Sequence, residues 1–170
     1  VTDHGVQGSE LEALTMRRAE LAERYLQPSA TRPPSTARGV HHVALLCTDV
    51  ERTIQFYDRL LGFPLLDIYE NRDYRGSSHF FFDLGIGNTV AFFDLPGVDL
   101  GPYQEVLGGL HHLSISVSPD QWSAARSRLE DAGVDYLLES GTSIYFRGPD
   151  GERLELICDP LLWQYGRSVG

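Results

Sequence analysis

Cysteine is scarce in this chain of 170 residues: there are two, Cys47 and Cys158. That is too few for a disulfide framework, so a reduced, cytoplasmic protein relying on its own apolar core is expected. No apolar run reaches the length of a membrane-spanning helix. The first residues do not combine a basic stretch with an apolar one, so no secretory signal is expected. Basic residues are also few, 14 against 24 acidic ones, for a formal net charge of −10. A surface without a cationic footprint excludes nucleic acid and anionic membranes and leaves a small molecule as the expected partner. What is present is ordinary for a globular protein: 42% hydrophobic and 22% charged residues, which excludes wholesale disorder.

The chain reads in pieces. Residues 9–26 form an amphipathic helix, with Leu11, Leu14, Leu21, Ala22 and Tyr25 on one face and Ser9 and Glu12 spaced as a capping box. His4 falls in a terminus expected to fray. Residues 27–38, rich in Pro, Ser and Thr, read as a linker, so residues 1–38 are an appendage to a main domain at 39–170.

That domain contains an internal repeat. Gly39-Val40-His41-His42-Val43 recurs as Gly109-Leu110-His111-His112-Leu113. An alternating apolar strand follows each copy, then a helix. The first helix runs from Asp49 to Gly62 with Val50, Ile54, Tyr57 and Leu61 inward. The second runs from Ser118, with Pro119 at its first position and Gln121 in capping-box spacing, to Gly133, with Trp122, Ala125 and Leu129 inward. Each terminal Gly suits the left-handed conformation that ends helices. Strand-like runs then lie near 64–71, 78–83 and 88–95, and near 135–139, 143–147 and 153–158. The expected fold is therefore α+β: two β-α-β-β-β modules, 39–98 and 109–160, joining in a curved mixed sheet around a metal-lined cavity, with an extra N-terminal helix.

Side chains alternate faces along a strand. If His42 points into the cavity, so do Ala44 and Leu46; if His112 does, so do Ser114 and Ser116; if Glu155 does, so does Ile157. His41, His111, Cys47 and Cys158 then belong to the opposite, helix-covered face, where the cysteines serve as small core hydrophobes. Two imidazoles on repeat-related strands and one carboxylate form a facial triad with open positions, a set suited to non-haem Fe(II) and also to Zn, Mn, Ni or Co. A single strand His is usually structural. Two at matched positions, with Glu155 where the other copy has Ala91, favour a metal site on His42, His112 and Glu155.

The openings His42-Val43 and His112-Leu113 are followed by two further motifs. The Tyr57 helix closes on Leu60-Leu61-Gly62-Phe63, and a run extends from Tyr145-Phe146-Arg147-Gly148-Pro149 to Leu154-Glu155. Together these resemble the vicinal oxygen chelate superfamily, over about residues 39–160. The group includes glyoxalase I, extradiol dioxygenases, fosfomycin-modifying transferases and bleomycin-binding proteins. The resemblance implies a metal-dependent enzyme for a small substrate with adjacent oxygens. It places metal ligands at positions 42, 91, 112 and 155, of which Ala91 cannot ligate, a departure from four-ligand glyoxalase I. Extradiol and fosfomycin enzymes use His, His and Glu and place a Tyr ten residues before the Glu, where this chain has Tyr145. An extradiol-type ring-cleaving dioxygenase with Fe(II) is the first reading. In it Tyr145 binds substrate, and His79 is a candidate acid–base group. Two departures stand against it: the extradiol His is missing from Tyr136-Leu137-Leu138, and Gly148 precedes the signature Pro. The alternatives are a glyoxalase, isomerase, lyase or thiol transferase using the metal as Lewis acid, and a protein that sequesters a drug or metabolite. Module pairing between chains in the superfamily further implies a homodimer.

Overall fold

The computed structural model describes residues 5–164 and 166–169, so His4 lies outside the described residues. The chain divides into two compact units, residues 1–38 and 39–170. The first carries helix α1 (Gly8–Tyr25), none of whose residues is buried. It begins one residue ahead of Ser9, so Ser9 lies within the helix and the capping box read at Ser9 and Glu12 does not form. No described helix is long and apolar enough to cross a membrane.

In the second unit, module 1 consists of β1 (His42–Cys47), α2 (Val50–Ile54), a π-helical continuation (Gln55–Leu60), β2 (Leu65–Glu70), β3 (Ser78–Asp83) and β4 (Thr89–Asp94). Module 2 repeats the plan with β5 (Leu113–Ser116), α3 (Pro119–Asp131), β6 (Tyr136–Glu139), β7 (Ser143–Arg147) and β8 (Arg153–Ile157). A short hairpin, β9 (Trp163–Gln164) with β10 (Arg167–Ser168), follows.

Local chemistry sets the boundaries. The Asp49 side chain accepts from the Arg52 N–H and Ser118 from the Gln121 N–H, each covering a free donor of a first turn. Gly62 and Gly133 close the helices in the left-handed region, at φ 80° and 68°. The π-turn is marked by Leu61 N–H donating to the Phe56 carbonyl, five residues back.

The α+β plan of two β-α-β-β-β modules is present, but the strands form two open four-stranded mixed sheets rather than one. Their orders are β1-β4-β3-β2 and β5-β8-β7-β6. In each, the first strand pairs in parallel with the last and stays at the sheet edge.

The modules join through their backs. Phe80, Phe82, Val90 and Phe92 of one sheet and Ile144, Phe146, Leu154 and Leu156 of the other enter a single core with Tyr57, Leu61, Ala125 and Leu129 from the helices. Burying each large side chain is worth about 1.5–3 kcal/mol. Polar clasps fix the docking. Tyr57 Oη donates to Glu152 Oε1 at 2.9 Å, and Arg128 donates to the Leu60 and Leu61 carbonyls at 2.6 and 3.1 Å. Asp150 accepts from Thr48 and, at 2.8 Å, from Arg52. Because both backs share one core, the opposite faces of the sheets are turned away from each other within the chain.

Candidate metal and substrate faces

Strand register defines the two remaining faces. In module 1, Ala44 pairs with Ala91, Phe81 with Ala91, and His79 with Phe93, so His42, Ala44, His79, Phe81, Ala91 and Phe93 share one face. In module 2, Ser114 and Tyr145 both pair with Glu155, and Ser143 pairs with Ile157. His112, just ahead of β5, reaches the same face. The repeat thus sets Phe81 against Tyr145 and Ala91 against Glu155.

The module 2 face carries a donor pair. His112 Nε2 lies 3.2 Å from Glu155 Oε2, whose side chain is only 5% exposed. Burial works to raise the Glu155 pKa. The hydroxyls of Ser143, Ser114 and Tyr145 and the His112 imidazole outweigh it and hold the carboxyl below its ordinary value. A recess of about 340 Å³ opens over the pair, walled by Ser114, Tyr145 and the segment from Asp159 to Gln164. A buried carboxylate kept ionised beside an imidazole nitrogen fits a divalent cation by its donor chemistry.

The module 1 face is aromatic. The His79 ring stacks on Phe93 at 3.9 Å and 22°, and lies 4.2 Å from Phe81 and 5.3 Å from Tyr69. Its Nε2 is buried with no hydrogen-bond partner among the described residues. Burial first, then the neighbouring His42, lowers the His79 pKa, so the ring is neutral at pH 7. Ala91 is fully buried on this face.

Of the residues expected to act together, the chain therefore brings His112, Glu155 and Tyr145 to one face and His42 and His79 to the other. Among the described residues no three His, Cys, Asp or Glu side chains group closely enough to hold a metal. His41 and His111 are not helix-covered as parity suggested. Both are exposed, because they precede the strand ladders and each ring turns to its neighbour, Nδ1 to Nδ1, at 2.9 and 2.7 Å. Cys47 is buried in the core and Cys158 half-buried; desolvation raises both thiols, Cys47 to about 12, which keeps them protonated and inert. Sequence reasoning missed Ser143, although a step of two from Tyr145 along β7 places it. It also missed the wall at Asp159–Gln164, for which no periodic signal exists.

Comparison with known proteins bears on the same region. Residues 39–156 match the glyoxalase/bleomycin resistance protein/dioxygenase superfamily. Glyoxylase I 4 of Arabidopsis thaliana is 27% identical, over 79% of this chain and 82% of its own length. The putative ring-cleaving dioxygenase MhqA of Bacillus subtilis is 26% identical over 77% of this chain, which spans 43% of that protein. A solved glyoxylase/bleomycin resistance protein/dioxygenase domain from Frankia sp. EAN1pec superposes with a TM-score of 0.62 at 25% identity, covering 72% of this chain and 92% of that one.

Proposed function

As the chain belongs to the glyoxalase/bleomycin resistance protein/dioxygenase superfamily, we propose that it is a metal-dependent enzyme of extradiol ring-cleaving type, acting on a small aromatic substrate with adjacent oxygens. The observation that carries the reading is the aromatic wall of His79, Phe81, Phe93 and Tyr69 on the face that bears His42. A flat ring would stack there.

His42, His112 and Glu155 would hold Fe(II), which would supply Lewis-acid and redox chemistry toward a diolate and O₂. The chain's own groups do the rest. Tyr145, beside Glu155, hydrogen-bonds the substrate oxygen, and His79 is the candidate acid–base group. Phe81 and Phe93 orient the ring and exclude water.

Within one chain His42 lies on the face of one sheet and His112 and Glu155 on that of the other. The reading therefore includes a homodimer in which His42 of one copy meets His112 and Glu155 of the other. The unpaired edges of β1 and β5 favour such cover.

The test is anaerobic reconstitution with Fe(II), followed by catechol and O₂ in an oxygen electrode. Uptake of one O₂ per ring opened, with no added reductant and none with Zn, is expected. Activity that persists with Zn would replace this reading with a Lewis-acid lyase or isomerase. Leu137, paired with Tyr145, leaves β6 without the imidazole of the extradiol pattern, and that observation favours the second reading.

A further inference from the structure

We propose that His111, framed by Glu105 and Arg153, is a positioning residue that fixes the ring of His112 with its Nε2 toward Glu155. This rests on the reading that His112 and Glu155 hold a metal.

A ligating imidazole needs its second nitrogen engaged, because that bond sets both tautomer and ring orientation. Among the described residues the Nδ1 of His112 has one partner, His111 Nδ1, at 2.7 Å. The rings meet edge to face at 4.9 Å and 73°, while His112 Nε2 sits 3.2 Å from Glu155. His111 is itself held from outside. Its Nε2 lies 3.3 Å from Arg153 Nη1 and 3.8 Å from Glu105 Oε2. Glu105 also faces Arg147 at 3.9 Å and Arg153 at 3.8 Å, and the Arg153 guanidinium lies 5.1 Å over the Tyr145 ring.

The pair has two proton arrangements. With Arg153 donating to His111 Nε2, His111 carries its N–H at Nδ1 and donates it to His112. With His111 carrying Nε2–H toward Glu105, its Nδ1 becomes the acceptor and His112 donates. Only the second arrangement leaves the His112 Nε2 lone pair free for a cation. In the first, Arg153 Nη1 at 3.3 Å donates to His111 Nε2; in the second, the His111 Nε2–H must turn from Arg153 to Glu105, whose Oε2 at 3.8 Å closes on it when a cation takes His112 Nε2. Module 1 supplies an internal control. His41 meets His42 in the same way, at 2.9 Å, but among the described residues no carboxylate or guanidinium frames His41.

Co(II) titration of the metal-free full chain, followed through its visible absorption, tests this. His111→Ala should weaken Co(II) binding by about 10–100-fold. It should also change the visible band, and leave the unfolding midpoint of the metal-free protein unmoved, since His111 is exposed. His111→Asn, which keeps a hydrogen-bonding group, should restore a large part of the affinity. His41→Ala should cost less than His111→Ala. The proposal is overturned if His111→Ala binds as the parent does, if Asn is no better than Ala, or if His41→Ala costs as much. Absence of Co(II) binding by the parent chain would overturn it together with the metal reading, and that result is separable because it needs no variant.

Discussion

Module 1 has Ala91 where module 2 has Glu155, and Phe81 where module 2 has Tyr145; around these exchanges two like folds have become unlike faces. The module 2 face concentrates polarity: an ionised carboxylate, three hydroxyls and an imidazole. The module 1 face concentrates aromatic rings about a neutral His79. Their backs remain alike, both apolar and both spent on one core. The repeat is thus alike in what holds the chain together and unlike on the other face. Among the described residues neither face groups three metal donors by itself, so a three-donor site needs both.

The largest effect is expected when the two faces are made alike. Glu155→Ala gives module 2 the apolar position of module 1. Metal affinity should fall by more than about 100-fold, beyond the range expected for outer partners of a ligand; equilibrium dialysis against Co(II) would read it. Retained affinity would show that the carboxylate is structural. Ala91→Glu performs the converse exchange. It should tighten metal binding by adding a fourth protein ligand while lowering turnover, because a substrate position is filled. Unchanged binding and full activity would show that residue 91 does not face the site.

Two smaller effects concern the shared back. An added Cβ at Gly148 would stand 2.0 Å from Glu152 Oε1. That carboxylate cannot easily retreat, since it accepts from Tyr57 Oη and the Asp150 N–H. Gly148→Ala should cost about 1–3 kcal/mol in urea unfolding, as overpacking does. Smaller still is the effect of Glu152→Gln. Burial, as the leading cause, raises the Glu152 pKa. A raised folded pKa gives a stabilising contribution that is full below the ordinary carboxylate range and is lost as pH rises through the folded value. Parent stability relative to the variant should therefore decline as pH rises above the ordinary carboxylate range, and a difference that grows with pH would contradict the burial argument.

The sequence made much of this legible where the cause is local. Gly62 and Gly133 end helices, Asp49 and Ser118 begin them, and a period of two puts Ser114 on the face of His112. It did not disclose how the modules meet, because that depends on pairs such as Tyr57 with Glu152 and Thr48 with Asp150, 95 and 102 residues apart. Nor did it disclose the rings of His41 and His111. Strand parity governs residues inside a ladder, and these stand just outside one. Gly148 looked only like a departure from a family pattern; the carboxylate of Glu152 occupies the space its side chain would need.

If a working site draws on module 1 of one copy and module 2 of another, two lesions carried on different chains should leave one intact site. This is tested most directly by co-expressing His42→Ala and Glu155→Ala chains with different tags and purifying the mixed dimer. One of its two sites then combines both lesions and the other combines neither. The mixed dimer should carry about half the parent metal content, and either variant alone almost none. A mixed dimer as empty as its parents would contradict this, and would place the whole site within a single chain or nowhere.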